Sequence, residues 1–168
     1  MRPDPARPPL YTPEERARRD ATIWTLVQGL LAPFQFLVFL VSLFLVLRYL
    51  MTGAGYEAAT ISVVIKTLVL YTIMVTGSIW EKVVFGKWLF APAFFWEDVV
   101  SMGVIALHTL YLFAVLFGIG SSTWQMGVAL LAYAIYVVNA AQFVWKLRMA
   151  RLQSEAESRS GAMTGAPA

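Results

Sequence analysis

The fold is decided by an uncharged run of 27 residues, Ala21-Thr-Ile-Trp-Thr-Leu-Val-Gln-Gly-Leu-Leu-Ala-Pro-Phe-Gln-Phe-Leu-Val-Phe-Leu-Val-Ser-Leu-Phe-Leu-Val-Leu47. A helix needs about 20 apolar residues to cross the roughly 30 Å hydrocarbon core of a bilayer. Three further uncharged or nearly uncharged runs lie at about 58–80, 99–117 and 124–145. Open strands cannot cross lipid, and the runs lack the two-residue alternation of a membrane barrel. The sequence therefore predicts an all-α membrane protein, a bundle of four transmembrane helices.

The composition agrees with a membrane protein and excludes several kinds of site. The chain is 59% hydrophobic and 14% charged, with a mean hydropathy of +0.66, whereas soluble domains average about 25% charged residues. The absence of Cys excludes disulfides, iron–sulfur clusters and thiolate nucleophiles, and the single His argues against a multi-His metal site. The net charge of +3 fits membrane topology and anionic lipid better than nucleic acid.

The basic residues predict the orientation of the bundle. They cluster before the first run, between the second and third, and after the fourth: Arg16, Arg18, Arg19, Lys82, Lys87, Lys146, Arg148 and Arg151. The other two connections carry only Arg48. Under the positive-inside rule, both termini and the segment between the second and third runs face the cytoplasm.

The chain divides into a membrane domain, residues 13–152, and two tails. The tails, 1–12 and 153–168, are rich in Pro, Gly, Ala, Ser or charged residues and are predicted to be disordered. Thr12-Pro-Glu-Glu15 is a helix start, with a hydroxyl cap, a proline at the first position and acids in the first turn. We expect a short cytoplasmic helix that continues from there into the first span.

The segment between the second and third runs carries most of the chemistry: Trp80-Glu-Lys-Val-Val-Phe-Gly-Lys-Trp-Leu-Phe-Ala-Pro-Ala-Phe-Phe-Trp-Glu-Asp98. Three carboxyl groups at a membrane boundary are a functional signal, because ionisable groups are costly there. The aromatic rings suit a bilayer interface or a flat apolar ligand. The simpler alternatives are an acidic helix start for Glu97 and Asp98, and an ion pair with Lys82 for Glu81. The segment either lies along the cytoplasmic surface or re-enters the membrane.

Other polar residues lie inside the predicted spans. Glu97, Ser101, His108 and Tyr111 share one side of the third helix, so they must face the bundle interior, another subunit or a ligand. About 16 Å of helix rise separates Glu97 from His108, so both cannot touch one reacting atom. Lys66 is interpreted as snorkelling toward the periplasmic face, with a substrate carboxylate as the alternative partner.

Asn139 and Gln142 share a face of the fourth helix. Interhelical hydrogen bonding is the ordinary role of such amides.

Several segments resemble one known family: Tyr11–Arg16, Trp24–Val41, Trp80–Gly86, Leu89–Asp98 and Leu107-His-Thr109. They are similar to the 3-vinyl bacteriochlorophyllide hydratase family, also called 2-vinyl bacteriochlorophyllide hydratase. The resemblance covers roughly Tyr11 to Leu152. It implies a hydro-lyase of bacteriochlorophyll biosynthesis that hydrates the 3-vinyl group of chlorophyllide a or 3-vinyl bacteriochlorophyllide a to a 3-(1-hydroxyethyl) group.

The resemblance also implies a location, a substrate and partners. The protein would lie in the inner or intracytoplasmic photosynthetic membrane of a bacterium, in contact with the lipid bilayer and with other enzymes of the pathway. No cofactor of its own is expected, and magnesium would be carried by the tetrapyrrole substrate.

The residues then suggest roles in hydration. Glu97 or Glu81 would donate a proton to the vinyl group, Asp98 would orient water, and His108 would relay protons or ligate the substrate magnesium; its alternative is a purely structural imidazole. The predicted pigment contacts are Trp80, Phe85, Trp88, Phe94, Phe95, Trp96, Tyr111, Asn139 and Gln142. Two other functions remain open, a non-catalytic tetrapyrrole carrier or assembly factor, and a small transporter subunit with a polar path along Lys66, Asn139 and Gln142.

Overall fold

The computed structural model describes the backbone of residues 9–164, with side chains except at 157, 158 and 160–164. It contains five helices: α1 Pro13–Ala21, α2 Ile23–Thr52, α3 Tyr56–Phe85, α4 Phe95–Leu116 and α5 Ser122–Thr164. Four are long and apolar enough to span a membrane, namely α2, α3, α4 and residues Ser122–Ala156 of α5. Between residues 9 and 164 there is no strand. The predicted all-α architecture with four spans is confirmed.

Helix α1 starts where the sequence predicts. The Thr12 hydroxyl accepts from the Glu15 amide at 3.2 Å, and the Glu15 carboxylate accepts from the Thr12 amide at 2.8 Å. Such a reciprocal box satisfies two amides that have no partner within the helix. The helix does not continue into the first span, however. Thr22 has an extended backbone and its hydroxyl caps α2, so α1 and α2 are separate helices.

The predicted N-terminal tail is partly ordered. Tyr11 is buried, and its ring stacks on Phe85 at a centroid distance of 5.7 Å. Burial raises the pKa of the Tyr11 phenol, and the nearby Arg19 guanidinium opposes that shift. Disorder over 1–12 is therefore wrong for Tyr11, because its ring has an aromatic cluster to bury against. Residues 1–8 lie outside the described residues.

The four long helices form two hairpins. Helix α2 packs along α3, and α4 along α5, through the short connections 53–55 and 117–121. Gly53 and Gly55 have φ angles of 70° and 89°, a conformation that glycine adopts without a steric penalty. Helix α2 also contacts α5, where Phe39 packs against Tyr133 and Tyr136 at 5.3 and 5.0 Å. Contacts between α3 and α4 are few.

The outer surface of the bundle is apolar. Large side chains point outward along every long helix, among them Leu30, Phe34, Leu37, Phe44, Leu68, Phe113, Leu131 and Val138. Water would make such a continuous apolar surface costly, whereas lipid tails solvate it. The interior instead holds polar side chains. Gln35 is buried, and the side-chain amide of Gln28 donates to the Thr76 hydroxyl of α3 at 2.7 Å.

Two boundaries differ from the expectation. Helix α3 runs to Phe85, so Trp80, Glu81 and Lys82 are helical and the connecting loop shrinks to residues 86–94. Helix α5 continues past Gln153, where a disordered tail was expected to begin, as far as Thr164. Residues 146–160 lack Gly and Pro, and Arg151 pairs with Glu155 one turn on at 3.2 Å, which favours continued helix. Residues 165–168 lie outside the described residues.

Candidate active site

A pair of buried carboxyl groups joins the end of α3 to the start of α4. Glu81 lies in the last turns of α3 and Asp98 in the first turn of α4, with 5% and 3% of their surfaces exposed. The amides of the successive residues Phe90 and Ala91 bind one oxygen of each side chain, so the two carboxyl groups lie side by side. Two adjacent buried carboxylates repel each other, and this repulsion favours a pair that keeps one proton. The pair is therefore a candidate proton donor at the edge of the membrane domain.

The loop 86–94 binds this carboxyl pair through its backbone. The Phe90 amide donates to Asp98 Oδ2 at 2.7 Å, and the next amide, that of Ala91, donates to Glu81 Oε2 at 3.2 Å. Phe90 is left-handed, with φ 57°, and no other non-glycine residue in the described part of the chain has a positive φ. This conformation costs a non-glycine residue about 1–2 kcal/mol. The strain places two successive N–H groups against the two carboxyl groups.

Glu97 has a different environment. Its Oε2 atom lies 2.5 Å from Lys146 Nζ of α5, and the same ammonium group donates to the Ala93 carbonyl. The Glu97 side chain is buried, while that of Lys146 is about a quarter exposed. An ion pair of this kind has no proton to deliver, so Glu97 fixes the start of α4 against α5. Sequence analysis used Lys146 only for topology and missed this contact.

The six aromatic residues between 80 and 96 that were predicted to contact the pigment fall into two groups. Trp80, Phe85 and Phe94 pack with each other and with Tyr11 into a closed cluster, with ring centroids 5.7–6.5 Å apart. Phe143 of α5 stacks on Phe94 at 5.8 Å. The other three predicted rings, Trp88, Phe95 and Trp96, lie at the surface. Only this second group is open to a ligand that arrives from the bilayer or the cytoplasm.

The polar stripe of α4 faces the bundle interior, which is one of the three environments that the sequence allowed. Its members Glu97, Ser101, His108 and Tyr111 are all buried. Asn139 of α5 meets this stripe: its amide donates to the Glu97 carbonyl at 2.9 Å, and its carbonyl accepts from Ser101 at 3.2 Å. The ordinary interhelical role of Asn139 is thereby confirmed. Gln142 is half-buried, and in the described region its Oε1 atom has no hydrogen-bond partner.

A second polar cluster lies deeper in the bundle. His108 Nε2 is 2.7 Å from Lys66 Nζ, and His108 Nδ1 donates to the Val104 carbonyl at 2.7 Å. Lys66 is fully buried and lies 4.0 Å from the centroid of the Tyr136 ring, so the snorkelling interpretation is wrong. The faces of aromatic rings attract a cation and replace water around it. His108 would have to leave Lys66 to ligate a pigment magnesium.

The two clusters are separate sites. Ten residues of α4, or about 15 Å of helix rise, divide Asp98 from His108. Among the side chains that the structure describes, no three of His, Cys, Asp or Glu are grouped as a metal site.

Besides Lys146, sequence analysis missed the amides of Phe90 and Ala91, because every residue except proline has a backbone N–H group and its residue type does not show which one binds. It also missed the Tyr71–Thr109 contact between α3 and α4, where the hydroxyl oxygens are 2.6 Å apart.

Comparisons with known proteins identify the family of this chain. The family model described as 2-vinyl bacteriochlorophyllide hydratase matches residues 11–149. A protein of that name from Rhodobacter capsulatus is 70% identical over 154 residues, covering 92% of this chain and 90% of the relative. Another from Cereibacter sphaeroides is 72% identical over 147 residues, covering 88% and 91%. No solved structure matches. The chain belongs to the 2-vinyl bacteriochlorophyllide hydratase family.

Proposed function

We propose that this protein adds water across the vinyl group of a chlorophyllide-type or bacteriochlorophyllide-type pigment, with the Glu81–Asp98 pair as the acid–base centre. The vinyl group numbered 2 in the name of the relatives and 3 here is the same substituent under two numbering schemes. The product is the 3-(1-hydroxyethyl) pigment. The observation that carries the proposal is the pair of buried carboxyl groups, which two successive backbone amides hold side by side at the ends of two membrane helices.

The chemistry needs one proton and one water molecule. The carboxylic acid gives its proton to the terminal vinyl carbon, whose π electrons form the new C–H bond. The inner carbon becomes a cation that the conjugated macrocycle delocalises. Water then attacks this inner carbon and loses a proton to a carboxylate of the pair. One molecule of water has been added, and the pair again holds one proton.

The helix ends favour Glu81 as the donor. Glu81 lies near the C-terminus of α3, where the partial negative charge of the helix dipole opposes a second negative charge. Asp98 lies near the N-terminus of α4, where the dipole stabilises its carboxylate. Glu81 thus holds the proton and Asp98 accepts from it and orients water. The ion pair with Lys146 argues against Glu97 as the acid.

The surroundings support delivery of the pigment from the membrane. Trp96 is 69% exposed and Trp88 60% exposed, and both lie between Glu81 and Asp98 in the sequence. Amphipathic rings of this kind favour the bilayer interface. Together with the charge pattern, they support our proposal that the site and both termini face the cytoplasm and that the protein lies in a bacterial inner or intracytoplasmic membrane. Magnesium belongs to the substrate, and no cofactor is proposed.

The test is Glu81→Gln in membranes supplied with the vinyl pigment. The gain of one water is followed by mass spectrometry, and pigment binding by its absorbance. Loss of the acid should lower the hydration rate by at least about 100-fold, the lower range for general acid catalysis. The matched control is Glu57→Gln, an exposed residue in the first turn of the same helix.

Full hydration by Glu81→Gln would refute the acid assignment. Pigment binding without a gain of water by the wild-type protein would instead favour the carrier. Transport without pigment affinity would favour the transporter subunit.

A further inference from the structure

The seam between α3 and α4 has polar groups at its two ends and apolar groups between them. Two stripes of side chains, one on each helix, form what we call the α3–α4 seam. They are Tyr71, Met74, Ser78 and Glu81 on α3, and Asp98, Met102, Ile105 and Thr109 on α4. The spacings of three, four and seven residues put each set on one helix face. Helices α3 and α4 make far fewer direct contacts with each other than the two helices of either hairpin do, so this seam is loosely packed.

The far end of the seam is a pair of hydroxyl groups. Tyr71 Oη and Thr109 Oγ1 lie 2.6 Å apart, and both residues are half-buried. Two hydroxyl groups carry two donor protons, and their mutual bond uses one. Neither side chain makes another hydrogen bond within the described part of the chain. One O–H group therefore remains able to donate to a ligand.

The middle of the seam suits a flat apolar ligand. Met74, Met102 and Ile105 are half-buried, and the Ser78 hydroxyl is already bonded to the Val75 carbonyl of its own helix at 2.8 Å. Methionine side chains are flexible and polarisable, and they adapt to irregular apolar surfaces. A ligand that separated α3 from α4 here would give up few helix–helix contacts.

The length of the seam matches a tetrapyrrole. Ten residues of α3 separate Glu81 from Tyr71, which is about 15 Å of rise, and eleven residues of α4 separate Asp98 from Thr109, about 16 Å. A chlorophyllide-type macrocycle carries its vinyl group on the first ring and a keto carbonyl on the fifth ring, at the opposite edge. That carbonyl accepts hydrogen bonds and finds no donor in lipid tails.

We propose that the substrate lies along the α3–α4 seam with its vinyl group at Glu81 and its keto carbonyl bonded by Tyr71 and Thr109. These two residues position the pigment and do not touch the reacting carbons. The inference rests on the proposed function, because it takes the vinyl end from the acid assignment.

The other polar groups of the interior fit the carbonyl less well. Lys66 is fifteen residues from Glu81 on α3, which is about 22 Å of helix rise. Lys66 and His108 are also both fully buried. The Asn139 amide is already bonded to Ser101 and to the Glu97 carbonyl. Tyr71 and Thr109 lie at the right distance and are partly open to the membrane.

The test uses two pigments and three variants. One pigment is the natural keto compound, and the other carries a methylene group in place of that carbonyl. Tyr71→Phe removes the donor. Tyr49→Phe is the matched control, because Tyr49 makes a similar interhelical bond, to Ser122 at 2.6 Å, away from the seam. KM and kcat are measured for both pigments, and the keto stretching frequency of the bound pigment is measured by resonance Raman spectroscopy.

Wild-type protein should bind the keto pigment about tenfold more tightly than the methylene pigment, as one net hydrogen bond allows. Tyr71→Phe should raise KM for the keto pigment, leave KM for the methylene pigment unchanged, and shift the keto frequency toward its unbonded value. Adding Thr109→Val removes the second donor, and this double variant should lose the whole tenfold preference and show the unbonded frequency. Tyr49→Phe should keep the preference.

If Tyr71→Phe changed KM equally for both pigments and left the keto frequency unchanged, Tyr71 would only be a contact between α3 and α4. That result would overturn the proposal. If wild-type protein hydrated neither pigment, the proposed function itself would fail. If it hydrated both without preference, only the carbonyl site would fail.

Discussion

Removing Lys146 separates the structural role of Glu97 from a catalytic one. Lys146→Met keeps most of the side-chain length but leaves the buried Glu97 carboxylate without its cation. Breaking a buried ion pair on one side costs about 3–5 kcal/mol. Lys146 is a quarter exposed, so solvent screens part of that loss, and we expect a destabilisation of about 2 kcal/mol.

The double variant supplies the decisive comparison. Glu97→Gln in the Lys146→Met background removes the unpaired charge and leaves the backbone carbonyl of residue 97 free to keep its bond to Asn139. Most of the lost stability should return, since replacing both partners of a buried pair is far less costly than removing one. Hydration should also persist in the double variant, because its Glu81–Asp98 pair is intact.

Thermal unfolding in detergent and hydration of the vinyl pigment are measured on the same preparations. A loss of about 2 kcal/mol corresponds to a melting temperature lower by roughly 4–8 °C for a chain of this size. Arg148→Met, an exposed position on the same helix, is the control and should melt like the wild type. A stable, folded double variant that no longer hydrates the pigment would contradict the assignment, since Glu97 would then be needed for the chemistry.

Two other predictions concern the proton and the loop. When hydration is run in D₂O, the methyl group of the product should carry one deuterium, because the acid proton exchanges with solvent. Mass spectrometry measures this deuterium after the hydroxyl group has been exchanged back to hydrogen. A methyl group without deuterium would exclude this proton source. Phe90→Pro removes the amide that donates to Asp98 and also cannot adopt the left-handed backbone, so it should lower hydration by more than the roughly tenfold value of one net hydrogen bond. Phe90→Gly keeps that amide and accepts the left-handed backbone, so it should stay active; equal activity of both variants would refute a role for the amide.

The sequence predicts the parts of this protein that depend on residue type and spacing. Uncharged runs give the four spans, and the spacing of Glu97, Ser101, His108 and Tyr111 correctly predicts one shared stripe, which the structure shows facing inward. The capping box at Thr12 is equally local. Contacts between distant segments are less accessible. The choice of Lys146 as partner for Glu97 depends on how α5 packs against α4, and 49 residues separate the two in the chain.

The aromatic rings show the same limit. Their abundance between residues 80 and 98 indicates an apolar or interfacial role, but not which rings are open. Tyr11 and Phe143, which come from outside that segment, close the cluster around Phe94 and leave Trp88 and Trp96 at the surface. Lys66 was misassigned for a related reason. Its distance from the helix end allows snorkelling, and only the packed structure shows the tyrosine rings that solvate it inside.

The strained loop explains why a carboxyl pair, rather than one acid, suits this reaction. In the proposed mechanism, two negative charges face each other in a buried site once Glu81 has given up its proton. The Phe90 and Ala91 amides already point at Asp98 and Glu81, so they stabilise this charge as it develops without first having to reorient. The left-handed backbone of Phe90 costs about 1–2 kcal/mol in the resting protein. If the amides bind the doubly charged pair more strongly than the singly charged one, this difference offsets the cost and lowers the barrier to proton transfer.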